Sequence, residues 1–189
     1  GWYGGDINKF WWRAEGAQTL QGSASGSGEG EIQALYSRLV AKYWDFQTGV
    51  RYDTTWGSGP TRDRAFAVIG FTGLAPYWFD IEPSLYVSDD GDVSARLSAT
   101  YDALITQRLI LQPRLDANLS LQDVPRFGIG SGFNNIEFGL RLRYEFRREF
   151  APYIGVTWRR TLGGSADYAR LSGDPVDLTH FILGARMWW

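Results

Sequence analysis

NIEFGLRLRYEF, residues Asn135 to Phe146, puts Ile136, Phe138, Leu140, Leu142, Tyr144 and Phe146 at every second position, with Glu137, Gly139, Arg141, Arg143 and Glu145 between them. Side chains of a β-strand alternate between its two faces, so this stretch reads as a strand with one apolar face and one face of charge and glycine. The alternation recurs from Arg108 to Gln122, where Leu109, Leu111, Leu115, Ala117, Leu119 and Leu121 oppose Gln112, Arg114, Asp116, Asn118 and Ser120. It returns from Phe46 to Asp53, from Phe79 to Ser88 and from Val93 to Asp102.

All such runs together fall near 8–20, 32–40, 45–53, 64–74, 77–88, 93–103, 107–122, 134–147, 150–162 and 178–189, which is about ten strands. Connections after the first, third, seventh and ninth runs are long and polar or glycine-rich, and those after the second, fourth, sixth and eighth are tight. Asp89 to Asp92 is the one short link on the long side, and Asp90-Gly91 predicts a type I′ turn there. Long loops on one side and tight turns on the other, with an even strand count, are the outer-membrane barrel pattern. The expectation is an all-β fold: a single domain over 1–189, a transmembrane antiparallel up-and-down β-barrel with long extracellular loops and short periplasmic turns.

Composition fits that expectation. Aromatic residues are 16% of the chain, and Trp2, Tyr3, Trp11, Trp12, Tyr43, Trp44, Tyr77, Trp78, Phe150, Tyr153, Trp188 and Trp189 gather at the chain ends or tight turns. Such rings collect where a membrane meets water. Lys9 and Lys42 are the only lysines among 19 basic residues, whereas a soluble surface scatters lysine. A soluble lipocalin-like barrel, with its apolar face inward, would turn that arginine-rich face to water and give the terminal rings no common level. The net charge of -2 gives no reason to expect nucleic acid, and zero cysteines remove disulfides and thiolate metal sites. Apolar runs fall short of a membrane helix, and Gly1 opens without a signal segment, so a secreted chain would have lost its leader.

The inward phase places Glu15, Arg51, Glu82, Arg96, Arg114, Asp116, Glu137, Arg141, Arg143, Glu145 and Arg186 in the lumen. Buried charges of both signs must pair or be wetted, so this set is either an ion-pair network filling the lumen or a polar ion path. Under the second reading Glu15, Glu82, Asp116 and Glu137 are cation steps, and changing Glu82 or Asp116 alters ion movement without altering folding. His180, the only histidine, shares the phase of Gly184 and Arg186 and is the candidate metal ligand. No serine lies in a nucleophile context, and only Asp174 or Asp177 could pair with His180 to activate water, so no catalytic residue is assigned and no enzyme is expected. Asp89 to Asp92 lacks the glutamate that closes a calcium loop, and Gly128, Gly130 and Gly132 read as flexible surface loop, as do residues 22–30.

Several long strings carry a family resemblance: GWYGGDINKFWWRAEG at 1–16, GVRYD at 49–53, GLAPYWFD at 73–80, RLILQPR at 108–114, DVPRFGIGSG at 123–132 and LRYEFRREFAPYIGVTW at 142–158. Nearly the whole chain resembles the copper-resistance protein B family of bacterial outer-membrane proteins. The resemblance implies copper resistance at the outer membrane, with copper ion as the transported or transiently bound species and no organic cofactor. It implies a periplasmic copper oxidase or copper carrier as partner, while the barrel pattern itself implies outer-membrane lipid and lipopolysaccharide as surroundings, tight turns and both termini in the periplasm, and a barrel whose closed pairing lets it be a monomer. It leaves two modes open: a barrel that moves or sequesters copper, or a closed barrel that anchors a copper-binding tail or docks a periplasmic copper protein. Members commonly carry a Met- and His-rich segment ahead of the barrel, which residues 1–189 do not contain.

Overall fold

The computed structural model describes residues 1–18, 28–57, 62–147 and 150–187. Among them the chain forms twelve strands and one α-helix: β1 (Trp2–Gly4), β2 (Asn8–Gln18), β3 (Gly28–Ala41), β4 (Trp44–Trp56), β5 (Arg62–Ala75), β6 (Phe79–Ser88), β7 (Val93–Tyr101), β8 (Ala103–Leu104), β9 (Leu109–Ser120), β10 (Gly132–Tyr144), β11 (Phe150–Thr161), α1 (Gly163–Ser172) and β12 (Asp177–Met187). The ten long strands match the ten alternating runs one for one. β1, of three residues, and β8, of two, are the additions.

The chain divides into two compact units, Gly1–Thr72 with Ser84–Val93, and Gly73–Pro83 with Ser94–Trp189. In the first, strand order is β1-β2-β3-β4-β5 and then the C-terminal half of β6. In the second it is the start of β6, then β7-β9-β10-β11-β12, with β8 beside β9. The registers are antiparallel, for example Trp11↔Leu35 between β2 and β3, and Glu137↔Asp116 between β10 and β9. Among the described residues no ladder joins β12 to β1 or β2, so the fold is an antiparallel sheet of twelve strands without observed closure. No helix among the described residues is long and apolar enough to cross a membrane, which says nothing of strands.

The two faces differ as the alternation requires. One carries Val50, Ile69, Leu85, Leu97, Phe138 and Ile154, all exposed. The other carries the buried residues Gln33, Ser37, Arg64, Asp116, Arg143 and Thr157. It is not uniformly polar: in the first unit Leu35, Phe66, Val68 and Tyr86 form an apolar cluster with Trp11 packed against it.

Three connections depart from expectation. Of the loop expected at 22–30, residues 22–27 lie outside the described residues and Gly28 to Gly30 open β3. The link 89–92 is closed by Gly91 N–H donating to the Ser88 carbonyl at 2.9 Å, with Gly91 at φ +86°. Asp90 is not left-handed, so the turn is not type I′ about Asp90-Gly91, which needs positive φ at both, and Gly91 alone is left-handed. The glycines at 128–132 are not a loose loop. Gly130 is buried against the start of α1, donating its N–H to Ser165 Oγ at 2.8 Å, and a Cβ there would stand 2.5 Å from Ser165 N. Leu162 N–H donates to the Asn134 carbonyl at 2.8 Å, tying the helix entry to β10.

Candidate functional site

On the more buried face of the first unit the side chains converge on Arg51 of β4. Its Nη2 lies 2.7 Å from Glu31 of β3, and its Nε donates to Asp53 Oδ1 at 2.6 Å. The guanidinium carbon stands 5.3 Å from the centre of the Phe66 ring and 4.9 Å from that of Tyr86, within cation–π range of both. Phe66 and Tyr86 meet edge to face, 6.2 Å apart at 81°. Arg64, one inward position from Phe66 on β5, stacks on the same ring at 4.9 Å and holds Asp92 at 2.6 Å. Period two brings Arg64, Phe66 and Val68 to one face because β5 keeps strict alternation there.

The more buried face of the second unit is a polar ladder. Arg114 Nε donates to Asp116 Oδ2 at 2.6 Å and Nη2 to Oδ1 at 3.1 Å, a forked charge-assisted pair. Ser98 donates to the same Oδ1 from β7. One step along, Arg96 Nε donates to Asn118 Oδ1 at 2.9 Å, and Asn118 Nδ2 to Asn135 Oδ1 at 2.8 Å, linking β7, β9 and β10. Toward the long loops Arg159 Nε donates to Glu137 Oε2 at 2.6 Å. Toward the tight turns Arg143 reaches Asp102 at 3.1 Å and Glu145 at 3.5 Å, while Gln112 also donates to Asp102, at 2.6 Å. Arg141 lies over the Tyr153 ring at 5.5 Å.

One face of each unit thus carries most of the candidates, Arg51 in the first and, in several separate pairs and short chains, Arg96, Arg114, Asp116, Glu137, Arg141, Arg143 and Glu145 in the second. Glu82 is half-buried on β6 in the phase of Tyr86 and Ser88. Glu15 and Arg186 belong to β2 and β12 at the register positions of Glu31 and Ala151, and their side chains lie outside the described residues. His180 stands opposite Thr157 on β12 and is exposed. Among the described residues no three His, Asp or Glu side chains group as a metal site, so His180 belongs to no such set of three. Sequence reading missed Leu35, Phe66 and Val68 as inward residues. Their only signal was size, since Phe66 and Val68 alternate with the smaller Ala65 and Ala67.

The arginines decide what the site does chemically. Glu31, Asp53, Asp92, Asp102, Asp116, Glu137 and Glu145 each lie against an arginine. Each offers a cation its charge only after that pair opens.

The family model described as copper resistance protein B precursor (CopB) matches residues 1–189. Copper resistance protein B of Escherichia coli is 42% identical over 188 residues, covering 100% of this chain and 61% of its own length. The copper resistance protein B homolog of Pseudomonas syringae pv. tomato (strain ATCC BAA-871 / DC3000) is 42% identical over 189 residues, 62% of its length. The chain therefore spans about three-fifths of these relatives.

Proposed function

The chain belongs to the copper resistance protein B family, and from that premise we propose that it closes into an outer-membrane β-barrel serving copper resistance without catalysis, by moving or sequestering copper ions between the outside and the periplasm. The observation that carries the reading is the two-faced sheet, with exposed Val50, Ile69, Leu97, Phe138 and Ile154 on one side and paired charges on the other. In water such an apolar face would be costly, and in lipid it is required. The ten long strands run from nine to fourteen residues, enough to cross a bilayer at a tilt. Their even number sets β12 antiparallel to β2, the pairing closure needs. The tight turns and both termini then face the periplasm, where a copper oxidase or carrier docks, and the barrel is a monomer amid lipid and lipopolysaccharide. The word precursor in the family description fits an envelope protein. His180 offers copper a transient imidazole, and Glu82 and Asp116 lie on the polar side of the proposed path.

A second reading has its own observation. Because the inner carboxylates are held by arginines, a closed barrel that anchors a copper-binding segment or docks a periplasmic copper protein accounts for the site without pair opening. Copper flux into liposomes holding the folded chain, with sodium and potassium as controls, tests the first. Copper-selective flux is the expected result of the first reading. Tight vesicles refute movement of copper by this chain alone and leave sequestration, the anchor, or a barrel that a further segment or a partner opens.

A further inference from the structure

The two inner faces are chemically unlike, and the difference bears on where an ion could travel. In the first unit Val68 is 1% exposed, Tyr86 6%, Leu35 7% and Phe66 9%. Phe66 and Tyr86 close edge to face, and Arg51 lies against both rings while its charge is held by Glu31 and Asp53. Ser37, two positions from Leu35 on the same face of β3, is 0% exposed, and its Oγ has no hydrogen-bond partner among the described residues. The corresponding face of the second unit is largely polar: its buried residues include Ser98, Asp116, Ser120, Arg143 and Thr157, and Arg96, Arg114, Asn118, Glu137 and Arg159 beside them are only partly buried or exposed.

We propose that the inner face of the first unit is a dry barrier to ions, built by Leu35, Phe66, Val68 and Tyr86 and braced by Arg51, and that any ion crossing the protein follows the polar inner face of the second unit. The proposal rests on the barrel reading. An ion entering the cluster would shed its hydration among rings and methyl groups, and apolar constrictions stop ions by excluding water. The Arg51 charge supplies no compensating ligand, because it is positive and already occupied by two carboxylates. Along the second unit an ion would meet Asn118, Asn135 and Glu137, whose oxygens accept from Arg96, Asn118 and Arg159 and become ligands once those donors turn away.

The chain has no cysteine, so single cysteines report local water directly. In the folded chain in lipid vesicles, Asn118→Cys is expected to react with a membrane-impermeant maleimide at least about tenfold faster than Val68→Cys or Leu35→Cys. Equal rates would overturn the barrier. In planar bilayers, Phe66→Ser combined with Tyr86→Ser is expected to raise conductance about tenfold over the parent chain by wetting the cluster. A double variant that folds and conducts no more than the parent also overturns it, and if that variant does not fold, the cysteine rates decide. A parent chain that fails to insert as a protease-protected, β-rich species overturns the barrel reading and the barrier with it. That outcome is distinct from equal labelling in an inserted chain.

Discussion

Asp116→Asn tests whether the inner carboxylates are structural clamps. Asp116 is bound by Arg114 through two nitrogens and by Ser98 from the neighbouring strand, with its side chain 11% exposed and that of Arg114 29%. Breaking a fully buried pair costs about 3–5 kcal/mol, because one charge is left alone. Partial exposure of Arg114 and the acceptor oxygen that asparagine keeps for Ser98 reduce this to about 2 kcal/mol. The unfolding equilibrium then shifts by about thirtyfold. Urea unfolding in lipid vesicles, followed by tryptophan fluorescence, reads the loss, and Arg114→Ala with the double variant completes the cycle. An unchanged midpoint, or single effects that simply add, would refute the clamp and return Asp116 to the role of a free cation step. Under the clamp, altered copper movement in this variant comes together with lost stability.

Gly130→Ala forces a Cβ to within 2.5 Å of Ser165 N and 2.6 Å of Gly164 backbone atoms, neither of which yields easily. Hydrogen exchange of 124–134 and 163–173 is expected to accelerate by an amount equivalent to about 2 kcal/mol while the long strands keep their protection; unchanged exchange would sink the packing described. Phe138→Arg puts a charge on the proposed lipid face and is expected to destabilise the vesicle-inserted chain by about 2–4 kcal/mol, with little effect refuting lipid contact there. Arg159→Ala breaks a pair whose arginine is 45% exposed, so its cost is expected to stay under about 1 kcal/mol in the same assay; a larger loss would show the pair to be drier than its exposure implies.

The strands were legible because a sheet with one lipid-like face leaves the strongest period-two signal a sequence carries, as in Ile136 to Phe146. On β5 that signal is ambiguous, because Ala65, Ala67 and Ile69 outside alternate with Phe66 and Val68 inside, and both faces read as apolar. The helix α1 was not legible: it opens on Gly163-Gly164 with no side-chain cap, and only its end is marked, by left-handed Gly173 bonding back to Ala169 and Arg170. Period two assigns an arginine to a face but not to a carboxylate. Arg51 meets Glu31 because β3 and β4 pair Gln33 with Arg51 and Glu31 with Asp53, a register no local pattern specifies. The Asp90-Gly91 dipeptide marked its turn correctly and its type incorrectly, since one left-handed glycine sufficed.

Tyr43, Tyr77 and Trp78, at the tight connections after β3 and β5, hold left-handed backbone at φ 69°, 68° and 67° and expose their rings. A loop chosen for folding speed alone would place glycine or asparagine there, since a bulky residue in that conformation costs about 1–2 kcal/mol. Substituting glycine at each would therefore relax the main chain while deleting the ring, two effects of opposite sign at a single codon. A library screened first for refolding yield and then for copper tolerance would separate them. Positions where glycine wins the first screen and loses the second are those where the ring, and not the bend, has been under selection.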